Sequence, residues 1–222
     1  MNRLLYDLYH LFPDDLTCHW DCLRRKKHWR SKKVMFIHVP KAAGTSVSHA
    51  LYGRSLGHFK AREIRQWCPD LFESCYKFAF VRNPWDRAVS AYQFALKGRT
   101  ETAGMRHKKL YQGAAFRSFE AYVYEWLSAQ NLTTLDNVFQ PQYLFVTDDQ
   151  QSLLVDYLGR VEQFADGMNH VSGVTGITMP VLDLNRVTDK GRYVDFYPDD
   201  RLINAVGDLY QQDVTLFGYD FK

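Results

Sequence analysis

The segment FIHVPKAAGTS (36–46) sets a lysine, a glycine and two hydroxyl residues between a short apolar run and a helical stretch. Strand, turn, glycine and helix N-terminus together make an anion site, because unpaired N–H groups and the positive end of the helix dipole face the ligand. Lys41 sits in the turn, where its ammonium can reach a transferring anionic group. Gly44 permits close backbone approach. Thr45 and Ser46 can donate hydroxyls or cap the helix. The order of residues is not that of the G-x-x-x-x-G-K-[ST] nucleotide loop, since Lys41 precedes Gly44 and the lysine–hydroxyl pair that holds a metal is missing. An ordinary metal-dependent ATPase or kinase is therefore disfavoured.

A second cluster lies in FVRNPWDRAVSAY (80–92). Arg82 falls at the end of an apolar run and Ser90 on the helix that Asn83-Pro84 opens. The spacing is a little over two helical turns, so a turn at Asn83-Pro84 lets both side chains converge on one anion. A guanidinium fork with a hydroxyl suits a phosphate monoester. The alternative is that Arg82 pairs with Asp86 and Ser90 merely packs. In a parallel sheet such groups gather at the carboxyl ends of strands, where the first loop also belongs. Two separate anion sites point to a nucleotide with two anionic ends.

The elements that must position these residues can be read from the same pattern. VMFIHV (34–39) and KFAFV (77–81) are short, apolar, β-branched or aromatic runs, expected as buried strands. LLVDYLGRVEQF (153–164) is expected to hold another. Helices are expected at 3–12, from Gly44 to about Leu51, from Pro84, over 116–129, and over 199–216. Residues 97–114 read as a loop. Strands alternating with helices predict an α/β fold, a three-layer sandwich around a mainly parallel sheet. The expected organisation is one core at 34–222 behind a helical, basic extension at 1–33.

Composition narrows the function classes. The 222 residues are 46% hydrophobic and 24% charged, which excludes collagen-like and wholly disordered chains. Lys and Arg number 28 against 25 Asp and Glu. Seven of the 28 fall in RRKKHWRSKK (24–33), leaving 21 against 25 elsewhere. A general nucleic-acid binder is disfavoured. The run itself is either a solvated helix end or a surface for a polyanionic polysaccharide or acidic membrane. No stretch reaches the ~18 apolar residues of a membrane span and no secretory segment is evident, so a cytoplasmic protein is expected. Cys18, Cys22, Cys68 and Cys75 are too few for a disulfide framework. Cys18, His19 and Cys22 lack a second ligand pair, so no metal site is expected.

HVPKAAGTS and VRNPWDRAVSAY together resemble the 5′-phosphosulfate loop and the 3′-phosphate motif of sulfotransferases that use 3′-phosphoadenosine 5′-phosphosulfate (PAPS). The likeness is to the carbohydrate branch, which includes heparan and chondroitin sulfotransferases and their bacterial relatives. The aryl and steroid branch carries a tryptophan after its loop, where this chain has Val47. YLGRVEQF (157–164) and the tail LYQQDVTLFGYDF (209–221) are similar to later segments of the same branch, so the likeness spans about half the chain.

The resemblance implies a nucleotide-kinase-like core and transfer of a sulfuryl group from PAPS to an acceptor hydroxyl without an obligatory metal. It implies that Lys41 binds near the bridging oxygen of the donor and assists the leaving phosphate, and that the N–H groups of Ala42, Ala43, Gly44, Thr45 and Ser46, with the Thr45 and Ser46 hydroxyls, hold the 5′ end. Arg82 and Ser90 would hold the 3′-phosphate, with Arg192 in the basic loop Lys190-Gly191-Arg192 as a further contact. The expected acceptor is a saccharide or glycoconjugate. A general base is needed, and the branch places a histidine near the position of His58; Glu63 is a weaker candidate, and His107 in the basic loop reads as a substrate contact. His38 reads as structural. Arg160 and Glu162 read as an ion pair or as acceptor contacts, and Gln142 as a possible sugar contact. Tyr92, Tyr111, Phe116, Phe119 and Tyr122 suit either ring stacking or the core. Rival readings are the same donor with a small alcohol or tyrosine acceptor, a nucleotide kinase, and a non-catalytic polyanion-binding module centred on 24–33.

Overall fold

The structure, a computed structural model, describes residues 14–98, 111–178 and 192–222, with side chains from residue 19 onward. The expected helix at 3–12, His107, Lys190, Gly191 and most of the 97–114 loop lie outside the described residues. Three strands form a parallel sheet in the order β1 (Val34–Ile37), β2 (Tyr76–Val81), β3 (Tyr157–Arg160). Ile37 pairs with Ala79 and Val81 with Arg160, so the three carboxyl ends lie at one rim.

Strand residues alternate between two buried faces, as a covered parallel sheet requires. Val34, Phe36, Phe78 and Phe80 pack against α2 (Gly44–Tyr52) through Val47 and Leu51, and against α6 (Phe164–Thr175) through Met168 and Val171. Met35, Ile37, Ala79 and Val81 face the larger core. That core holds α1 (Asp14–Lys32), α3 (Ala61–Trp67), α4 (Pro69–Ser74), α5 (Pro84–Lys97), α7 (Asp200–Leu209) and α8 (Gln211–Phe217). Helices on both faces of a parallel sheet are the expected three layers. Phe80 fits only because β3 and α6 offer no side chain there. A Cβ at Gly159 or at Gly167 would lie 2.5 Å from its ring. The outer edge of β1 is closed by Tyr52, whose hydroxyl donates to the Val34 carbonyl and accepts from the Phe36 N–H, both at 3.0 Å.

Two expected helices differ from the pattern. Residues 116–129 are not one α-helix but short α, π and 3-10 turns, with the π turn at Tyr122–Trp126. Here Tyr92, Tyr111, Phe116, Phe119, Tyr122, Trp126 and Phe139 make one aromatic cluster with ring centroids 5.0–6.4 Å apart. Packing of these rings outweighs regular helix geometry, and the five aromatics considered for stacking on a ligand are core. The C-terminal helix breaks at Tyr210 into α7 and α8. The hydroxyl of Tyr210 reaches the Phe139 carbonyl at 2.9 Å, and the break turns Asp213 inward.

Candidate active site

After β1 the chain runs through a tight loop in which Lys41 (φ 67°) and Ala43 (φ 58°) both take the left-handed conformation. Two non-glycine residues in that region cost of order 1–3 kcal/mol each, so packing must hold the loop in place. Ala43 is the N-cap of α2 and supplies no side-chain cap. Thr45 and Ser46 are inside the first turn, not capping it. The first turn also lacks an acidic residue, so nothing negative in it competes for the helix end. Gly44 is required for a different reason from the one its position suggests. A Cβ there would lie 1.9 Å from His38 Cδ2, because the imidazole, only 6% exposed, lies against the start of α2.

Arg87 buttresses the loop from behind. It is 1% exposed and its guanidinium donates to the carbonyls of Pro40 (3.0 Å), Gln140 (2.7 Å) and Val138 (3.3 Å). Asp213, also buried, accepts from the N–H groups of Gln142 and Tyr143, each at 2.8 Å. Burial pulls the Arg87 pKa down and pushes the Asp213 carboxyl up, and each opposes the other's shift. The Lys41 ammonium lies 4.5 Å over the Phe94 ring of α5.

The second motif turns as Asn-Pro dictates. Asn83 caps α5, its Oδ1 accepting from the N–H groups of Trp85 and Asp86, and Pro84 takes the first helical position. Arg82 does pair with Asp86, through two bonds of 2.6 Å. Its Nη1 donates to the Lys41 carbonyl at 3.4 Å, so the two motifs meet. Three of the five guanidinium N–H groups are thereby committed, leaving two outside these bonds. Ser90 is buried on the same helix. Gln142 does not face a ligand. Its amide clasps the backbone of Arg82, Oε1 accepting from the N–H at 2.9 Å and Nε2 donating to the carbonyl at 2.8 Å.

Arg160 and Glu162 are structural but are not each other's partners. Arg160 donates to the Phe217 and Gly218 carbonyls. Glu162 accepts from the Asn83 N–H at 2.6 Å and the Tyr219 hydroxyl at 3.0 Å. The tail is thus bound over the start of α5. Arg192 is exposed and begins the 3-10 turn Tyr193–Phe196, which packs on α5. No described contact joins it to Arg82 or Lys41.

His58 is half-buried beside His38, with ring centroids 4.0 Å apart and its Nδ1 3.2 Å from the His38 carbonyl. A carbonyl only accepts, so that bond places the proton on Nδ1 and leaves Nε2 as the basic nitrogen. Burial lowers the His58 pKa below the usual 6.5; Lys41 and Arg87 push the same way, and the hydrogen bond to His38 opposes them. His58 lines a cleft of about 990 Å³ with Lys60, Gln66, Trp67, Asn137 and Gln140. The sequence offered no signal for Arg87, Asp213 or Gln142 as supports, since their partners lie 47 to 71 residues away.

The carboxyl rim of a parallel sheet thus gathers a strand–loop–helix turn, a neighbouring arginine and a flanking histidine in an α/β fold. The sulfotransferase family model matches residues 29–220, and the chain belongs to that family. Its members are transferases that move a sulfuryl group to an acceptor. No curated protein and no solved structure matches the chain significantly.

Proposed function

We propose that the chain transfers a sulfuryl group from PAPS to a hydroxyl of a saccharide or glycoconjugate. The observation that carries this reading is the contact between Arg82 and the Lys41 carbonyl, which joins the two anion-binding motifs into one site. On this reading the N–H groups around Ala42, Ala43, Gly44, Thr45 and Ser46 hold the 5′ end of the donor. Arg82 and Ser90 hold the 3′-phosphate, with Arg192 as an outer contact. Three supports favour it. The start of α2 has neither a side-chain cap nor an acid to displace. Arg82 keeps two N–H groups for an anion. The cleft next to His58 is lined by charged side chains of both signs, among them Arg62, Arg65 and Asp136, by neutral polar ones and by a tryptophan, groups that suit sugar hydroxyls and ring faces.

His58 Nε2 takes the proton of the acceptor hydroxyl as its oxygen attacks sulfur. The S–O bond to the donor phosphate breaks, and the charge arriving on that phosphate is met by Lys41 and the helix end. The donor test is calorimetric titration of 3′,5′-adenosine bisphosphate beside magnesium-ATP. The bisphosphate should bind, and Arg82→Ala should weaken it about 10- to 100-fold, the loss of a charged hydrogen-bonded fork. Binding of ATP alone would instead assign a kinase.

His58 makes a separate prediction. Because its pKa lies below 6.5, the base form persists at mildly acidic pH. The acid limb of kcat/KM should fall at lower pH than an exposed histidine would give. His58→Ala should lower kcat about 10²- to 10⁴-fold while leaving bisphosphate affinity intact. A pH–rate profile of wild type and variant reads both; near-wild-type turnover in the variant would remove His58 from the base role.

A further inference from the structure

The outer face of α1 has no part in the site described above. Trp20, Arg24, Lys27 and Ser31 are spaced four, three and four residues apart and are all exposed. They form one stripe along the helix, opposite Cys22 and Trp29, which are buried in the core. Arg30, also exposed, flanks the stripe, and half-buried Leu23 lies at its edge. Asp21 is the sole acid between residues 19 and 33, and it lies beside Arg25 at 3.9 Å, off the stripe.

Trp20 is 65% exposed, the most exposed of the large apolar side chains among the described residues. A polyanionic polysaccharide rewards the cations and offers the indole one ring face, leaving its other face wet. The boundary of a bilayer rewards both at once, taking the indole at headgroup depth and the lysines and arginines against anionic lipid. The charge elsewhere adds an orienting term. Outside 24–33 the chain carries 21 basic against 25 acidic residues, so an anionic surface attracts the α1 side and repels the rest. Among the described residues no helix is long and apolar enough to cross a membrane, so contact here is with the surface.

We infer that the Trp20–Arg24–Lys27 face of α1 is a docking surface for anionic phospholipid. The helix lies along the bilayer plane with Cys22 and Trp29 turned to the protein core. α1 packs against α3, with His19 and Trp67 rings 4.5 Å apart, and Trp67 lines the cleft beside His58. Docking through α1 therefore sets the α3 wall of that cleft next to the lipid surface.

The test is co-sedimentation of the full chain with vesicles of phosphatidylcholine alone and with about 30 mol% phosphatidylserine, beside retention on heparin. Pelleting should require phosphatidylserine and decline with salt. Trp20→Ala should lower the partition coefficient about tenfold. The pair Arg24→Glu and Lys27→Glu should lower it about thirtyfold or more. Thermal midpoints of all three proteins should agree, since these side chains face solvent. Absence of pelleting with anionic vesicles would overturn the inference. So would vesicle binding indifferent to Trp20→Ala but lost together with heparin retention on charge reversal, which would assign the face to polyanions. Neither result depends on the donor or the acceptor of the proposed reaction.

Discussion

Lys41→Ala is expected to lower kcat about 10²- to 10³-fold, the usual loss when a group that meets developing charge is removed. The bisphosphate should still bind within about tenfold, because the helix end and the Arg82 fork remain. Lys41 is suited to this split by its place in the loop. Its backbone is held in the left-handed region, its carbonyl receives Arg82, and its ammonium rests 4.5 Å above Phe94. Lys41→Arg should not restore the rate, since a planar fork differs in reach and shape from an ammonium. Single-turnover sulfuryl transfer with parallel bisphosphate titration separates the two effects. Equal losses in binding and turnover would reduce Lys41 to a binding residue.

Arg87→Ala should be the most destabilising change near the site. It removes the partner of three buried carbonyls and leaves Asp213 buried without its counter-charge. Breaking such an arrangement costs about 3–5 kcal/mol, which lowers the thermal midpoint by roughly 6–20 °C for a chain this long. The deficit should depend on pH with a definite sign. Burial already raises the Asp213 pKa and Arg87 restrains it. Without Arg87 the folded-state pKa rises further above the unfolded value, so the penalty is borne where the carboxyl must ionise. The gap between variant and wild type should narrow as pH falls and Asp213 takes a proton. Thermal unfolding at acid and at neutral pH tests this, and a gap independent of pH would show that Asp213 does not depend on Arg87. Arg87→Lys keeps the charge but not the three-way reach and should fall between the two.

How far the sequence reveals this arrangement depends on how locally each feature is encoded. The strands announce themselves because VMFI and KFAFV are short, apolar and bounded by charge or proline. Asn83-Pro84 announces the start of α5 because Asn caps and Pro fits the first turn. The Arg82–Asp86 pair is visible as an i, i+4 spacing. By contrast, Gln142 reads as a polar residue in a loop, yet it takes the place of a neighbouring strand by pairing with both backbone groups of Arg82. Arg87 and Asp213 read as charges on helix faces and lie in the interior. Burial of a charge follows from partners brought by the fold, here 47 to 71 residues distant. The 116–129 segment has a helical pattern of apolar residues, but its rings join those of Tyr92, Tyr111 and Phe139 in one cluster, and the backbone there takes a π turn at Tyr122–Trp126.

The contact between His38 and Gly44 also constrains how this sequence can change. The ring of one occupies the space a side chain on the other would need. The two positions therefore behave as an interlocked pair, and the fitness of a residue at either depends on the occupant of the other. A side chain gained at 44 meets the imidazole, and a smaller residue at 38 leaves a void over the start of α2 and takes away the ring beside His58. A one-step mutational path between alternative pairs passes through a clash or a hole. Combinatorial libraries that vary 38 and 44 together, and descendants that changed both, are the routes by which this corner of the protein can be rewritten.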